Sequence, residues 1–385
     1  MAKKVKTRTR YKIVGSDFSA QEPRLTAHMS GDENMKKAYA EGKDLYCVIA
    51  ASVFNNNYED NLEFYPAGTE IELDGKKIIC GNKTHMNKAG KERRSISKMI
   101  LLAITYGMSS NTLAGRINKS REEAQEIMDS FFNSFPKVKV LIEDSKKSLR
   151  ENGYVEDWAG RRRHLTDYFL NPYEAEYKDN EKLLAQTFNP IIGCENRPAE
   201  DEKLRNYVAR AKMTRNNKDF DQLAMEAMKE GIILSANTGR IAQAERQCLN
   251  ARIQGGAASL TKLAMVNVAK NQELKDLEAK LIITVHDELL MECPDLYAER
   301  VAELLPQIMI DTAKPYISVG MKCDPMIVSR WYSDEYAVAV QAEFKKLEDK
   351  GYSREEAFKK LFENHPELPE QAIIDTIENG IDLEF

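Results

Sequence analysis

Two β-rich segments lie near opposite ends of the chain, and each carries acidic residues at the end of a strand. Residues 11–17 are typical of a strand that finishes at Asp17. Residues 280–293 form two β-rich runs that flank His286-Asp287-Glu288, which predicts a hairpin with acids at its tip. Any fold of this chain has to combine these strands with the segments that separate them.

Helical patterns fill most of the sequence between the two β-rich segments. Apolar spacing and end signals predict helices at 24–29, 44–54, 92–106, 121–149 with a break at Pro136, and 242–269. A short hairpin is predicted at 69–79, around Asp74-Gly75. Residues 170–230 are polar and weakly periodic, which indicates an inserted helical or loose surface segment. Three short helices are predicted beyond residue 337, the second of them capped by Ser353.

The composition is that of a globular protein with two or three domains. The chain has 385 residues, of which 42% are apolar and 30% charged, and this balance excludes a disordered tail. Its longest apolar runs fall far short of the roughly 18 residues that a membrane span needs. Residues 1–10 are basic without a following apolar run, so no secretory signal is predicted. The six cysteines form no CxxC pair, which favours a reducing cytosol.

The net charge of −5 is an average over unlike regions. Residues 337–385 contain 6 of the 56 basic residues and 12 of the 61 acidic ones, so the rest of the chain is close to neutral. Basic residues gather at 3–12, 83–98 and 161–164. A local cationic groove for a polyanion is therefore compatible with the total charge, although solvated surface charge explains any single cluster equally well.

Three groups of polar residues stand out within these elements. They are the run Asp17 to Arg24 at a strand-to-helix junction, Arg94 with Lys98 and Tyr106 on one helix, and His286-Asp287-Glu288 in the hairpin. Taken singly, each has an ordinary structural explanation, namely a helix cap, a solvated helix face and a polar turn. Their functional meaning therefore depends on their occurring together.

Together, these groups resemble the motifs of the family A DNA polymerases, the DNA polymerase I group. YKIVGSDFSAQEPRLTAHMS at 11–30 is similar to motif A, RRSISKMILLAITYGM at 93–108 to motif B, and ITVHDELLME at 283–292 to motif C. Three further segments match in order: EGKDLY at 41–46, GYVEDWAGRRR at 153–163, and Arg246-x3-Asn250-x3-Gln254-Gly255. The resemblance covers most of residues 11–336 and leaves out the tail.

The resemblance implies transfer of dNMP from a dNTP to a primer 3′-hydroxyl with two divalent ions. Such phosphoryl transfer mainly requires positioning and charge neutralisation. The resemblance assigns Asp17 and Asp287 as ligands of two Mg²⁺ ions, for which Mn²⁺ is a substitute, with help from the backbone carbonyl of Phe18. Glu288 is implied as a nearby, less essential catalytic acid. Because magnesium prefers oxygen ligands and keeps several waters, no His/Cys cluster is expected.

The motif B helix carries the residues expected to bind the nucleotide. Lys98 follows Arg94 by four residues and precedes Tyr106 by eight, so the three share one broad helix face. The resemblance implies that Arg94 and Lys98 bind the triphosphate, that Lys98 donates a proton to pyrophosphate, and that Tyr106 lies at the templating position. A solvated helix face would also carry Arg and Lys, but it has no need of Tyr-Gly at its end. In the family, the acid at Glu22 blocks the ribose 2′-hydroxyl; the ordinary alternative is a helix-start acid.

A second helix repeats the four-residue spacing with Arg246, Asn250 and Gln254. Their donors suit the acceptors that all base pairs share in the minor groove, as a copying enzyme requires. The resemblance also implies that His286 contacts the primer end. The three arginines at 161–163 are equally compatible with phosphate binding and with a structural role.

The sequence departs from the family pattern at several places. Leu102 replaces the aromatic residue usually found midway between Lys98 and Tyr106, so altered contact with the nucleotide sugar and poor use of dideoxynucleotides are expected. Tyr46 replaces the usual His of EGKDxH. Only 16 residues precede Asp17, where the family has its thumb and exonuclease. This predicts one half of a split bacteriophage polymerase, with a separate thumb and exonuclease subunit as partner.

The fold class implied by the resemblance is α+β. An antiparallel palm sheet backed by helices is expected to combine with helical fingers and a small helical C-terminal extension, without a thumb. The expected domains are palm at 1–40, fingers at 41–150, palm again at 151–336 with the insertion at 170–230, and an acidic helical extension at 337–385. Apolar residues of this extension are expected to dock on the palm or a second subunit, or to form a small independent cap.

Two alternatives to a DNA polymerase remain. A single-subunit RNA polymerase shares the architecture and the motif B lysine and tyrosine, but the HDE triplet and Glu22 argue against it. A non-catalytic replisome scaffold would not need Asp17, Lys98 and Asp287. The expected ligands are primer-template DNA and dNTPs, and the expected setting is the cytoplasm, that of the host if a phage encodes the chain, with no membrane contact.

Overall fold

We describe the protein from a computed structural model, which covers residues 10–73, 76–82, 85–178, 202–328, 334–365, 373, 374 and 377. The chain divides into two compact units. The first contains the described parts of residues 1–19, 261–313 and 322–385. The second contains those of residues 20–260 and 314–321.

Within the described residues, groups of helices are separated by short strands. The strands are β1 (Tyr11–Phe18), β2 (Glu70–Leu73), β3 (Lys76–Ile79), β4 (Tyr154–Glu156), β5 (Arg162–His164), β6 (Tyr173–Tyr177), β7 (Ile232–Ala236), β8 (Lys280–Val285), β9 (Glu288–Pro294) and β10 (Cys323–Val328). The first seven helices are α1 (Gln21–Ser30), α2 (Glu33–Ala40), α3 (Leu45–Val53), α4 (Lys88–Thr105), α5 (Ser110–Ile117), α6 (Arg121–Ser134) and α7 (Pro136–Asn152). The others are α8 (Glu202–Lys212), α9 (Asn217–Lys229), α10 (Thr238–Lys270), α11 (Gln272–Asp276), α12 (Ala298–Ala313), α13 (Asp334–Asp349) and α14 (Arg354–Asn364).

The first unit is built on a four-stranded antiparallel sheet with the strand order β10-β1-β9-β8. The predicted strand at 11–17 and the predicted hairpin at 280–293 are both confirmed, and they pair with each other in this sheet. Helix α12 packs against β1 and β10 and buries Val301, Leu305 and Met309. In β1, a Cβ on Gly15 would lie 2.6 Å from the terminal carbon of Met326 and 2.8 Å from a terminal carbon of Leu290, so a larger residue there would require these side chains to shift.

The second unit is mainly helical, and its α4 carries the predicted motif B. One side of α4 is buried, through Ser97, Ile100, Leu101, Ala103, Ile104 and Thr105. The helix gives way to Gly107, which has a φ of +64°. A Cβ at Gly107 would lie 2.9 Å from the carbonyl oxygen of Arg246, so glycine allows both the turn and this close approach. The predicted break at Pro136 is confirmed, because α6 ends at Ser134 and Pro136 begins α7.

Residues 173–177 and 202–236 form a small α/β core, which extends beyond the predicted insertion at 170–230. Strands β6 and β7 pair antiparallel, and α8 and α9 pack on them. The buried core residues are Leu204, Tyr207, Ala211, Leu223, Ala227, Ile232 and Leu234. The two helices agree with the predicted helical character, but the strands were missed. The run YEAEY of β6 alternates Tyr and Ala with Glu, which is a strand period that a polar composition concealed.

The acidic tail forms a helical core of its own. Helices α13 and α14 pack together around Val340, Phe344, Leu347, Ala357, Leu361 and Ile373. Ser353 caps α14 in a capping box with Glu356, as the sequence predicts. The third predicted helix falls largely outside the described residues. No described helix anywhere in the chain combines the length and apolar character that a membrane crossing demands.

Candidate active site

Three carboxylates stand in a row across the four-stranded sheet. Asp17 in β1 lies directly opposite Glu288 of β9 on one side and opposite Asp324 of β10 on the other. Directly opposed residues of neighbouring antiparallel strands point to the same face of a sheet. The central strand therefore presents Asp17 between two further acids.

The fourth acid of this group lies in the turn that joins β8 and β9. Asp287 follows His286, whose φ of 54° makes the turn tight. Partial burial of the carboxyl group raises the pKa of Asp17, and the charges of Asp287 and then Asp324 raise it further, although the side chain as a whole remains exposed. Partial burial also raises the pKa of Asp287. Lys322 forms a 2.8 Å ion pair with Asp324 and offsets part of the negative charge.

The donors at this site suit a hard divalent cation. Each of two neighbouring carboxylates raises the free energy needed to ionise the other. A cation between or beside them removes this penalty. No group of three or more His, Cys, Asp or Glu side chains with metal-binding geometry occurs among the residues that the structure describes.

The unburied side of α4 carries the four residues named from motif B. Arg94 and Leu102 are half-buried, whereas Lys98 and Tyr106 are exposed. None of the four is among the buried residues of this helix. The exposed side chain of Lys98 is accessible to a phosphate.

Arg94 is held by residues at the start of α3. Its Nε–H donates to Oδ2 of Asp44 at 2.7 Å, and its guanidinium carbon lies 5.4 Å from the centre of the Tyr46 ring. The thiol of Cys47, in the first turn of α3, donates instead to the backbone carbonyl of Asn61 at 3.0 Å. Burial raises the pKa of Tyr46 to about 12, with further contributions from the charges of Asp44 and Glu22 that the charge of Arg94 opposes.

Tyr106 at the end of α4 is hydrogen-bonded to the second helix predicted to bind DNA. Nε2 of Gln254 in α10 donates to the Tyr106 hydroxyl at 2.7 Å. Burial and the charge of Glu22, in the first turn of α1, raise the pKa of Tyr106, while the bond from Gln254 lowers it. Glu22 is thus close enough to both Tyr46 and Tyr106 to influence their ionisation.

The other predicted DNA-binding residues lie on α10. Arg246 and Gln254 are exposed, and Asn250 is half-buried. The side-chain oxygen of Asn250 is buried and has no hydrogen-bond partner within the described part of the chain. Such a group is costly unless a ligand or water pairs with it.

The segment 153–163 has a structural role in part. Trp158 Nε1 donates to the carbonyl of Gly256 at 2.8 Å, and a Cβ on Gly256 would lie 2.7 Å from the Trp158 ring. The Trp158 ring therefore packs directly against the backbone of α10 at Gly256. Arg162 pairs with Glu156 at 2.7 Å, while Arg161 and Arg163 have exposed side chains.

The predicted site residues fall into two sets, one in each unit. Asp17 and residues 286–288 belong to the sheet unit, whereas the residues on α1, α4 and the first part of α10 belong to the helical unit. Asp324 was not predicted as a site residue, because its place beside Asp17 follows only from strand pairing. Asp44 lies in the EGKDLY motif, but no separate role was predicted for it.

The family model described as DNA polymerase family A matches residues 3–63, 79–192 and 198–333. The chain is 26% identical over 318 residues to DNA polymerase I of Chloroflexus aurantiacus, covering 82% of this chain and 24% of that protein. It is 29% identical over 297 residues to the thermostable DNA polymerase I of Thermus thermophilus, covering 77% of this chain and 24% of that protein. The chain thus spans about a quarter of the length of these relatives.

A solved structure shares the fold. It is the POL domain of Pol1 from M. smegmatis in complex with DNA primer-template and dNTP, with a TM-score of 0.53 and 22% sequence identity. The match covers 83% of this chain and 40% of that one. At this identity the likeness concerns the fold, which is a mixture of helices with a small antiparallel sheet.

Proposed function

This chain belongs to DNA polymerase family A, and we propose that it copies a DNA template by transferring dNMP from dNTPs to the 3′-hydroxyl of a primer. The observation that carries this proposal is the approach of Asp17 and Asp287, which are 270 residues apart in sequence. Strand pairing places Asp17 directly opposite Glu288, the residue that follows Asp287, and the charge of Asp287 raises the pKa of Asp17.

Asp17, Asp287 and the backbone carbonyl of Phe18 are the groups that we propose to hold two Mg²⁺ ions, for which Mn²⁺ can substitute. When bound, such ions neutralise phosphate charge and lower the pKa of a coordinated hydroxyl. Glu288 lies opposite Asp17 on the neighbouring strand and adds negative charge at the same face. This oxygen-only donor set agrees with magnesium and with the raised pKa values of the two aspartates.

The residues of α4 are proposed to bind the incoming nucleotide. Arg94 and Lys98 would bind the triphosphate, and the exposed Lys98 ammonium group would give a proton to the departing pyrophosphate. Tyr106 would lie at the templating position, with Leu102 beside the sugar and base. Glu22 would exclude a ribose 2′-hydroxyl, a role consistent with its proximity to Tyr46 and Tyr106.

The donors on α10 are proposed to contact the primer-template. Arg246, Asn250 and Gln254 would read minor-groove acceptors common to all base pairs. The unpartnered side-chain oxygen of Asn250 supports a ligand at this position. We propose that His286, in the turn of β8 and β9, contacts the primer end.

We further propose the division into palm at 1–40 and 151–336, fingers at 41–150, and an acidic extension at 337–385. A separate thumb and exonuclease subunit, a bacteriophage source and a cytoplasmic setting remain predictions. Co-purification with such a subunit tests the partner, and deletion of 337–385 tests whether the extension takes part. Unaltered association after the deletion would exclude the extension from the contact.

A primer-extension assay tests the function directly. The complete chain, a primed DNA template, Mg²⁺ and dNTPs should give products that follow the template, and omission of template or addition of a chelator should stop synthesis. Primer-independent synthesis from NTPs would identify the RNA polymerase alternative. A complete lack of incorporation, with DNA binding retained, would favour the scaffold.

A further inference from the structure

We propose that Asp44 is a positioning residue, which holds the guanidinium group of Arg94 in the orientation that binds the triphosphate. The inference rests on the proposed function and adds a residue to it. Asp44 immediately precedes α3, whereas Arg94 lies in the second turn of α4. Their side chains meet at 2.7 Å, between Oδ2 of Asp44 and Nε of Arg94.

The Asp44 carboxylate is itself fixed in place. Its Oδ1 accepts the backbone N–H of Tyr46 at 2.8 Å and so caps α3. The backbone N–H of Asp44 donates to the Tyr58 hydroxyl at 3.1 Å. One oxygen therefore anchors the side chain to its helix, and the other is left to hold Arg94.

The first turn of α3 provides a further contact with the same guanidinium group. The Tyr46 ring lies 5.4 Å from the guanidinium carbon. Burial acts to lower the pKa of Arg94, but the charge of Asp44 and its hydrogen bond outweigh burial and raise that pKa. Arg94 therefore stays charged while half-buried, as a phosphate ligand must.

The arrangement leaves donors for a ligand. A guanidinium group has five N–H donors in a planar fork, and Asp44 takes the one on Nε. Binding of a phosphate by a fixed fork avoids the loss of side-chain freedom that a mobile arginine would suffer. The negative charge of Asp44 by itself repels a triphosphate. Any favourable effect of Asp44 on nucleotide binding therefore has to come from the orientation that it gives to Arg94.

Asp44→Asn separates the two roles of the carboxylate. Asparagine caps a helix about as well as aspartate, so α3 keeps its cap. The new amide N–H₂ then faces Arg94 Nε–H, and two donors replace a donor–acceptor pair. We expect the KM for dNTP and the Kd of the dNTP–Mg²⁺ complex, from equilibrium dialysis, each to rise about tenfold, with kcat changed less than about twofold.

The chain offers a matched control in Asp32→Asn. Asp32 caps α2 with Oδ1, which accepts the backbone N–H of Asn34 at 3.0 Å, while Oδ2 accepts the backbone N–H of Lys137 at 3.2 Å. As in Asp44, one oxygen of this carboxylate caps a helix and the other accepts a hydrogen bond from a second donor. That second donor is not Arg94. Its substitution should leave both KM and Kd for dNTP unchanged.

The double variant Asp44→Asn with Arg94→Ala decides whether Asp44 acts through Arg94. On the Arg94→Ala background, Asp44→Asn should add less than about a twofold further change in Kd, because residues that act as one unit are not additive. Additive losses, an unchanged or lower Kd for Asp44→Asn alone, or no measurable dNTP binding by the wild-type chain would each overturn the inference. Tight dNTP binding that Asp44→Asn weakens, without any primer extension by wild type, would instead overturn the polymerase function and leave the inference standing.

Discussion

The acidic row of the sheet and the arginine of α4 solve opposite electrostatic problems. In the sheet, Asp17 stands between two acids on neighbouring strands, and the charge of Asp287 adds to the repulsion. In the helical unit, Arg94 is paired with Asp44 at 2.7 Å and flanked by an aromatic ring. The first region keeps like charges together, whereas the second pairs unlike charges.

The difference indicates how each region is expected to respond to its ligand. A set of carboxylates with raised pKa values is destabilised until a cation neutralises it, so ligand binding and relief of repulsion are the same event. An arginine that is already paired gains little charge compensation from a ligand, and its advantage lies in fixed orientation. Substitutions in the two regions should therefore differ in size and in sign.

The largest effect is expected at the acidic row. Asp17→Ala and Asp287→Ala should each lower primer extension by about a thousandfold or more, because several kcal/mol of charge stabilisation is lost. DNA affinity in a filter-binding assay should stay near that of wild type. Asp221→Ala, at an exposed acid of α9, is the control and should extend normally. Near-normal extension by both site variants would show that the metal ligands are misassigned.

On α4, Lys98 is expected to affect mainly the reaction rate and Arg94 mainly the binding of dNTP. Lys98→Ala is expected to lower kcat by about a hundredfold, the usual size of a lost proton donor. Arg94→Ala should mainly raise the KM for dNTP, since Arg94 is proposed to bind the triphosphate. Rapid-quench kinetics measures both, with Lys91→Ala as the control, because Lys91 on the same helix pairs with Glu63 at 2.9 Å. Reversed effects would exchange the two roles.

Sugar selection should change without a change in metal or phosphate binding. Glu22→Ala is expected to raise ribonucleotide use relative to dNTP use by about 10–100-fold, because a pocket that excludes a hydroxyl by shape discriminates on that scale. Competition between labelled NTP and dNTP gives the ratio. Glu33→Ala, in the first turn of α2, is the matched helix-start acid. If Glu22→Ala leaves this ratio unaltered, another residue excludes the ribose 2′-hydroxyl.

A smaller effect is expected at Leu102. Its side chain has no hydroxyl to replace the missing 3′-hydroxyl of a dideoxynucleotide, so dideoxynucleotides should be poor substrates. Leu102→Tyr should improve their incorporation by about tenfold, which corresponds to roughly one hydrogen bond. A sequencing-type termination assay measures this, with Leu102→Phe as the aromatic control without a hydroxyl. Efficient termination by the wild-type chain would contradict the prediction.

The smallest effect tests whether the two carboxylates change the stability of the folded chain in opposite directions. Because the pKa of Asp17 is raised in the folded state, its ionised form costs folding free energy at pH 7. In chelator, Asp17→Asn should raise Tm by about 1–2 °C, and the difference should shrink as pH falls through the folded pKa and the wild-type acid is protonated. Asp44→Asn should lower Tm instead, since it breaks an ion pair. A lower Tm for Asp17→Asn at pH 7 would refute the account of repulsion.

Much of the fold was predictable because its signals are local. The strand at 11–17, the hairpin at 280–293 and the break at Pro136 each depend on a few neighbouring residues, and the structure has them all. The shared face of Arg94, Lys98 and Tyr106 follows from helix geometry alone. The strand β6 was missed because five residues with two glutamates carry too weak an apolar alternation.

The sequence by itself determined the family motifs, the elements that carry them and the chemistry of their side chains. Only the tertiary structure placed Asp324 opposite Asp17, across strands about 300 residues apart in sequence, because register is set by sheet pairing. Only helix packing brought Asp44 to Arg94, fifty residues away. Local periodicity determines which face of a helix or strand carries a side chain. The partner and the pKa of that side chain depend on which other element packs against the face. Packing of this kind is a property of the folded chain as a whole.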